Sequence, residues 1–256
     1  MTRIRIMGLA LLALFAMAAV AAASASATPT YYECAKAAKV GKTYTGNSNN
    51  STCTEPNAKG EGKYNLQPGV GKGKAFKGTG KAATLHTPAI GGEVKCTGSK
   101  DTGFTTLTGQ DKVTVTFTGC TSLGKKCTSV SPKGKKSGEI LTNSLEGKLG
   151  YISASPLKVG VSLTGEAGKP SAEFTCEGIE ITTSGAVIGE ITKDINAISK
   201  ESTDSFTVNG LGYQTVTAFE GGPTEVLSSL VNGSGPFESG EETATLNKGE
   251  ALEIKA

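Results

Sequence analysis

The chain has no tryptophan, one histidine and no arginine beyond Arg3 and Arg5, and each shortage removes a class of function. Any Ser-His-Asp triad would have to use His86, which stands in Leu-His-Thr-Pro at an expected strand end. No Gly-x-Ser-x-Gly elbow accompanies it. Aromatics are 5% of residues, so the ring faces on which sugars and bases stack are scarce. Guanine readout and phosphate clamping favour the planar fork of arginine, so no nucleic-acid partner is expected. Cys-x-x-Cys is absent, which with one histidine argues against zinc. Asp101, Asp111, Asp194 and Asp204 are scattered and form no Asp-x-Asp-x-Asp-Gly loop, which argues against calcium. Gly78-x-Gly80-x-x-Ala83 superficially matches a dinucleotide loop but lacks the strand-turn-helix setting. No cofactor and no metal is expected. Glu177 with Glu180 and Glu241 with Glu242 are the nearest carboxylate pairs for a glycan hydrolase, but neither spacing fixes a catalytic geometry.

What is present begins with an export signature. Arg3 and Arg5 precede an apolar run from Ile6 to Ala23, and Ala25-Ser26-Ala27 follows, so residues 1–27 read as a signal peptide cleaved after Ala27. Six cysteines in an exported chain read as three disulfides, with fifteen possible connectivities. The preferred set is Cys34 with Cys53, Cys120 with Cys127, and Cys96 with Cys176. The first two are local and the third joins two strand-like runs.

Residues 28–70 are polar and turn-rich, with too few apolar side chains for a core of their own. They read as a small disulfide-tied unit or as an extension lying on the main domain. Residues 71–81, dominated by glycine and lysine, read as a linker. From residue 82 to 256, short runs of Val, Ile, Thr and Phe are broken every eight to twelve residues by Gly, Pro, Asn and Ser. The cleanest is Lys112–Thr118, where Val113, Val115 and Phe117 alternate with threonines. Further strands are expected at Phe104–Thr108, Glu139–Glu146, Lys148–Ile152, Ile179–Thr183, Ala186–Thr192 and Tyr213–Phe219, among others. Thr224–Val231 reads as a strand or a two-turn helix, with strand preferred. The fold class is all-β, an antiparallel sandwich or barrel of many short strands with a small N-terminal extension.

Val115–Cys120, Gly138–Ile152, Val187–Thr192 and Phe219–Gly222 resemble a family of exported, β-rich actinobacterial proteins to which no function is assigned. The resemblance covers roughly residues 81 to 256. It implies secretion and a β-rich fold, and it supplies no catalytic residue.

Charge is divided along the chain. Residues 28–136 carry 17 lysines against 6 acids, and residues 137–256 carry 7 lysines against 17. The two halves are expected either to meet across neighbouring strands or to face a charged partner. Lys72, Lys74, Lys77 and Lys81 form one basic cluster, and Lys125, Lys126, Lys133, Lys135 and Lys136 a second. Both suit strand-edge protection or contact with anionic cell-wall polymers. The reading that follows is a secreted, non-enzymatic cell-surface protein that associates with such polymers or with itself. The alternatives are a barrel holding a small apolar ligand and a glycan hydrolase.

Overall fold

The structure, a computed structural model, describes residues 28–69, 73–87, 92–106, 109–131, 136–193, 195–231, 238–246 and 252–255. The expected signal segment and Lys72, Lys133 and Lys135 lie outside them. None of the described residues is helical, and no helix among them is long and apolar enough to cross a membrane.

The strands run β1 (Thr30–Lys36), β2 (Lys39–Val40), β3 (Thr43–Tyr44), β4 (Tyr64–Pro68), β5 (Lys74–Gly80) and β6 (Ala83–Thr87). Then come β7 (Gly92–Cys96), β8 (Gly98–Thr105), β9 (Gln110–Thr118), β10 (Thr121–Ser122), β11 (Lys125–Ser131) and β12 (Glu139–Leu141). Next are β13 (Leu145–Ala154), β14 (Leu157–Gly165), β15 (Ala172–Cys176) and β16 (Ile179–Ile191). Last are β17 (Glu201–Phe206), β18 (Leu227–Val231), β19 (Glu238–Leu246) and β20 (Leu252–Lys255).

Eight of these strands close on themselves. β9 pairs with β13, β13 with β14, β14 with β16, and β16 with β17. From there β17 pairs with β19, β19 with β5, β5 with β8, and β8 returns to β9. Every pairing is antiparallel, so the ring is a barrel rather than a sandwich, and its strands have no free edge. On β9 the alternation works as expected: Asp111, Val113 and Val115 are buried and the residues between them are not. On β8 the inward residues are Ser99, Asp101 and Thr105, while Phe104 points outward.

The expected linker of residues 71–81 therefore contains a strand. Lys74–Gly80 is a barrel stave with hydrogen-bonded neighbours on both sides. Its glycines hid it, because the stretch carries almost no apolar side chain. The two runs expected at Ile179–Thr183 and Ala186–Thr192 join as one strand, β16. Its first part pairs with β15 and β18 and its second with β14 and β17. The bend between them is Gly185, at φ +91° and against the Val226 carbonyl, where a Cβ has no room. Glu139–Glu146 divides instead: Thr142 keeps its N–H on the Val115 carbonyl, the Val115 N–H turns to the Thr142 Oγ1 at 2.9 Å, and Thr142 bridges to Ala172 of β15. Tyr213–Phe219 is a loop, held by bridges of Val208 to Gln214 and Ala218 to Thr224.

Both barrel ends are covered. At one end Tyr31 of β1 and Ile254 of β20 pack against Leu149, Val159, Val161 and Ile191. The N-terminal segment, tied by the Cys34–Cys53 bridge, thus joins the last strand: β1 lies between β20 and β4. At the other end a second sheet, β16-β15-β11-β10-β7-β6-β19, brings Val94, Cys96, Cys120, Cys127, Phe174 and Cys176 against Ile140 and Phe117.

The remaining disulfides are Cys96–Cys120 and Cys127–Cys176, which overturns the expected Cys120–Cys127 and Cys96–Cys176. The ladder registers put the four cysteines in one row across neighbouring strands, in the order Cys96, Cys120, Cys127, Cys176. Cys96 and Cys176 stand at the ends of that row, three strand spacings of roughly 4.8 Å apart, twice the reach of a disulfide. Cys120 and Cys127 do face each other, with the Cys127 N–H donating to the Cys120 carbonyl at 3.0 Å. Hydrogen-bonded antiparallel pairs hold their Cα atoms farther apart than the alternate pairs do. The bridges form across Cα separations of 4.0 and 4.1 Å.

Candidate functional site in the barrel lumen

Burying an aspartate inside a barrel requires space as well as a partner, and glycine supplies the space twice. Asp101 lies opposite Gly78 in the β8–β5 ladder, and a Cβ on Gly78 would run into the Asp101 carboxylate. Asp111 lies opposite Gly147 in the β9–β13 ladder, where a Cβ would come within 2.8 Å of the Asp111 Cβ. With Asp204 of β17 these carboxylates line one cavity of about 100 Å³, together with Tyr31, Thr105, Val115, Leu163 and the lysines 193 and 200. Three of the four aspartates that looked scattered in sequence therefore converge.

Asp101 and Asp111 are 3% and 8% exposed. The Tyr31 hydroxyl donates to Asp111 Oδ2 at 2.8 Å, whereas Oδ1 is buried with no hydrogen-bond partner. Burial pushes the Asp111 carboxyl up from 3.8 to about 7, against the lowering effect of that hydrogen bond. Asp204 is also pushed up to about 7, first by burial and then by the charge of Asp111, with Asp101 adding to it and a hydrogen bond from Ser202 opposing it. The Tyr31 phenol rises well above 10, through burial first and the Asp111 charge second. Near neutral pH the site therefore holds carboxyl groups on the edge of ionisation.

A second cavity of about 90 Å³ adjoins the first and shares Val115 and Leu163 with it. Its wall is apolar, with Leu85, Val94, Phe117, Phe174 and Leu227, apart from a few groups such as Ser171, whose buried hydroxyl has no hydrogen-bond partner. The lumen thus has an acidic half and an apolar half. Among the described residues no three His, Cys, Asp or Glu side chains are grouped to hold a metal ion.

The residues singled out in the sequence lie elsewhere. His86 Nδ1 is 3.1 Å from Glu93 Oε1 on the neighbouring strand. Lys74 pairs with Glu33 at 3.6 Å and Lys125 with Glu177 at 2.9 Å. Lys77, Lys126 and Lys136 are exposed, and Lys81 borders the apolar cavity. The strands carrying the two clusters, β5 and β11, are separated in the sheet by β19, β6, β7 and β10. Lys112 reaches Glu146 at 3.9 Å and Glu166 at 3.4 Å, so with Lys125 and Glu177 the basic and acidic halves do meet across strands. Glu180 is exposed on β16.

The acidic lumen was missed because Asp204, on β17, lies far in sequence from the paired strands β8 and β9 that carry Asp101 and Asp111. One signal was available: Asp111 has the same parity as Val113 and Val115, which places it on the buried face.

No family model matches the chain, and no curated protein or solved structure matches it.

Proposed function

We propose that the chain is an exported, non-enzymatic barrel that binds a small, mainly apolar molecule in its lumen. The observation that carries this reading is a closed ring of eight strands with one cavity inside it and an adjoining apolar cavity between the ring and the strands β6, β7, β12, β15 and β18 that cap it. A barrel of this size has an interior just wide enough to be filled by side chains or to hold one small ligand. Each cavity alone is smaller than the roughly 150 Å³ engineered site that takes up benzene, so a ligand of that size lies across the wall formed by Val115 and Leu163. The three disulfides suit an oxidising compartment.

Titration with n-hexanol, followed by NMR of the valine and leucine methyl groups, tests the reading. Val115 and Leu163 are expected to shift, and Val115→Phe, which fills the space they share, is expected to remove the response. Unmoved methyl signals at saturating alcohol would end it.

A further inference from the structure

The acidic half of the lumen calls for a more specific ligand than an apolar one. Four carboxyl groups line it, Asp101, Asp111, Asp204 and Glu201, against two ammonium groups, Lys193 and Lys200. Lys193 ion-pairs with Glu201 at 3.3 Å, with more than half of both side chains exposed to solvent. The remaining acids are deeper, on β8, β9 and β17, and the other polar group facing them from the covering β1 is the Tyr31 hydroxyl, which is spent on Asp111 Oδ2. Asp111 lines the cavity and is more than nine-tenths buried, and its Oδ1 has no donor. Unmet buried acceptors are costly, and more so when charged.

We propose that this end of the lumen seats an ammonium group, and that the ligands are small amphiphilic amines whose apolar body passes Val115 and Leu163 into the apolar half. This inference rests on the barrel reading above and adds the head group. An ammonium offers three N–H donors and no acceptor, which suits several carboxylates converging from different strands. A metal ion does not fit as well, because no three ligating side chains are grouped tightly enough among the described residues. A carboxylate head would meet repulsion. An alcohol head could satisfy Asp111 Oδ1 but would leave the surplus negative charge uncompensated.

An amine enters as the cation at neutral pH, so binding is stronger once Asp111 and Asp204 are ionised. Loading therefore releases protons near pH 7 and tightens between about pH 6 and 8, since both groups are held at about 7.

The test is calorimetry with n-hexylamine, n-hexanol and hexanoate at pH 8 and pH 5.5. Hexylamine is expected to bind at least tenfold more tightly than hexanol at pH 8 and to lose that advantage at pH 5.5. Its heat of binding should change with the ionisation enthalpy of the buffer, reporting released protons. Asp204→Asn should remove most of the preference for the amine over hexanol, with Asp111→Asn as a second variant if the first does not fold. Hexanol binding with no preference for hexylamine overturns the head-group assignment and leaves the barrel reading standing. Binding of none of the three overturns both.

Discussion

The Tyr31 hydroxyl and Asp111 Oδ2 are joined by a 2.8 Å hydrogen bond that spans 80 positions of sequence and lies inside the protein. It couples the first described strand to the barrel wall, and it is one of two forces that set the state of Asp111. Tyr31→Phe keeps the ring that packs on Leu149 and Val159 and deletes only the donor. Loss of about 1–3 kcal/mol of unfolding free energy is expected in urea titrations. The loss should grow above pH 7, where an ionised Asp111 would have neither oxygen paired. An unchanged midpoint at pH 8 would mean that the bond carries no weight.

Stability should fall as pH rises through the weakly acidic range. Asp111 and Asp204 have folded values of about 7 against 3.8 in the unfolded chain, so between about pH 4 and 7 the folded state holds more protons. Stability then declines with pH, by about 1.4 kcal/mol per pH unit for each fully titrating group. The groups facing the pair are Tyr31, Asp101, Glu201, Lys193 and Lys200. Glu166 acts in a different window: Lys169, Ser144 and Lys112 hold it at about 2, so its contribution is lost only below about pH 4.5. Thermal melts should therefore show a maximum near pH 4 to 5, and Asp111→Asn with Asp204→Asn should flatten the limb above it. A rising limb from pH 5 to 7 in the unmodified protein would contradict the buried acids.

Much of the fold was legible, and its omissions have a common cause. β9 and β15 could be read because apolar and polar residues alternate along both. β5 and β8 could not, since apart from Phe76 their inward positions are Gly78, Ser99, Asp101 and Thr105 and their outward ones include Phe104. Hydrophobic alternation finds strands that face a greasy core, and these face an acidic one. One strand that escaped the pattern, β8, carries Asp101 of the candidate site, whereas Asp111 stands on β9, which could be read. Disulfide pairing was hidden for a different reason, because proximity in sequence says nothing of which neighbour in a row of four lies closer.

Gly150 and Phe219 bring together two segments far apart in sequence. The Phe219 ring lies over Gly150, where a Cβ would overlap it, and the next residue's N–H, that of Glu220, donates to the Tyr151 carbonyl at 2.7 Å. Gly150→Ala is expected to cost roughly 1–3 kcal/mol by displacing the ring. In a double-mutant cycle with Phe219→Ala the two changes should be non-additive, with most of the cost of the alanine removed when the ring is absent. Additive losses would show that the ring is not held by that glycine.

The cysteine row predicts a specific chemical behaviour when one end is removed. In Cys96→Ala the Cys120 thiol is left beside Cys127, which is bonded to Cys176. The Cys120 thiolate can attack Cys127 Sγ, forming Cys120–Cys127 while Cys176 leaves as a thiolate and takes up a proton, so that one disulfide replaces another with no net oxidation. Peptide mapping without reduction, after incubation near the ordinary thiol value of about 8.5, should recover both Cys127–Cys176 and Cys120–Cys127 linkages from this variant. Cys120→Ala is the control: the freed Cys96 has no sulfur on the adjacent strand, so Cys127–Cys176 should remain alone. Recovery of Cys127–Cys176 alone from Cys96→Ala would mean that the strands do not allow the attack. A Cys96–Cys176 peptide from the unmodified chain would mean that the row itself is wrong.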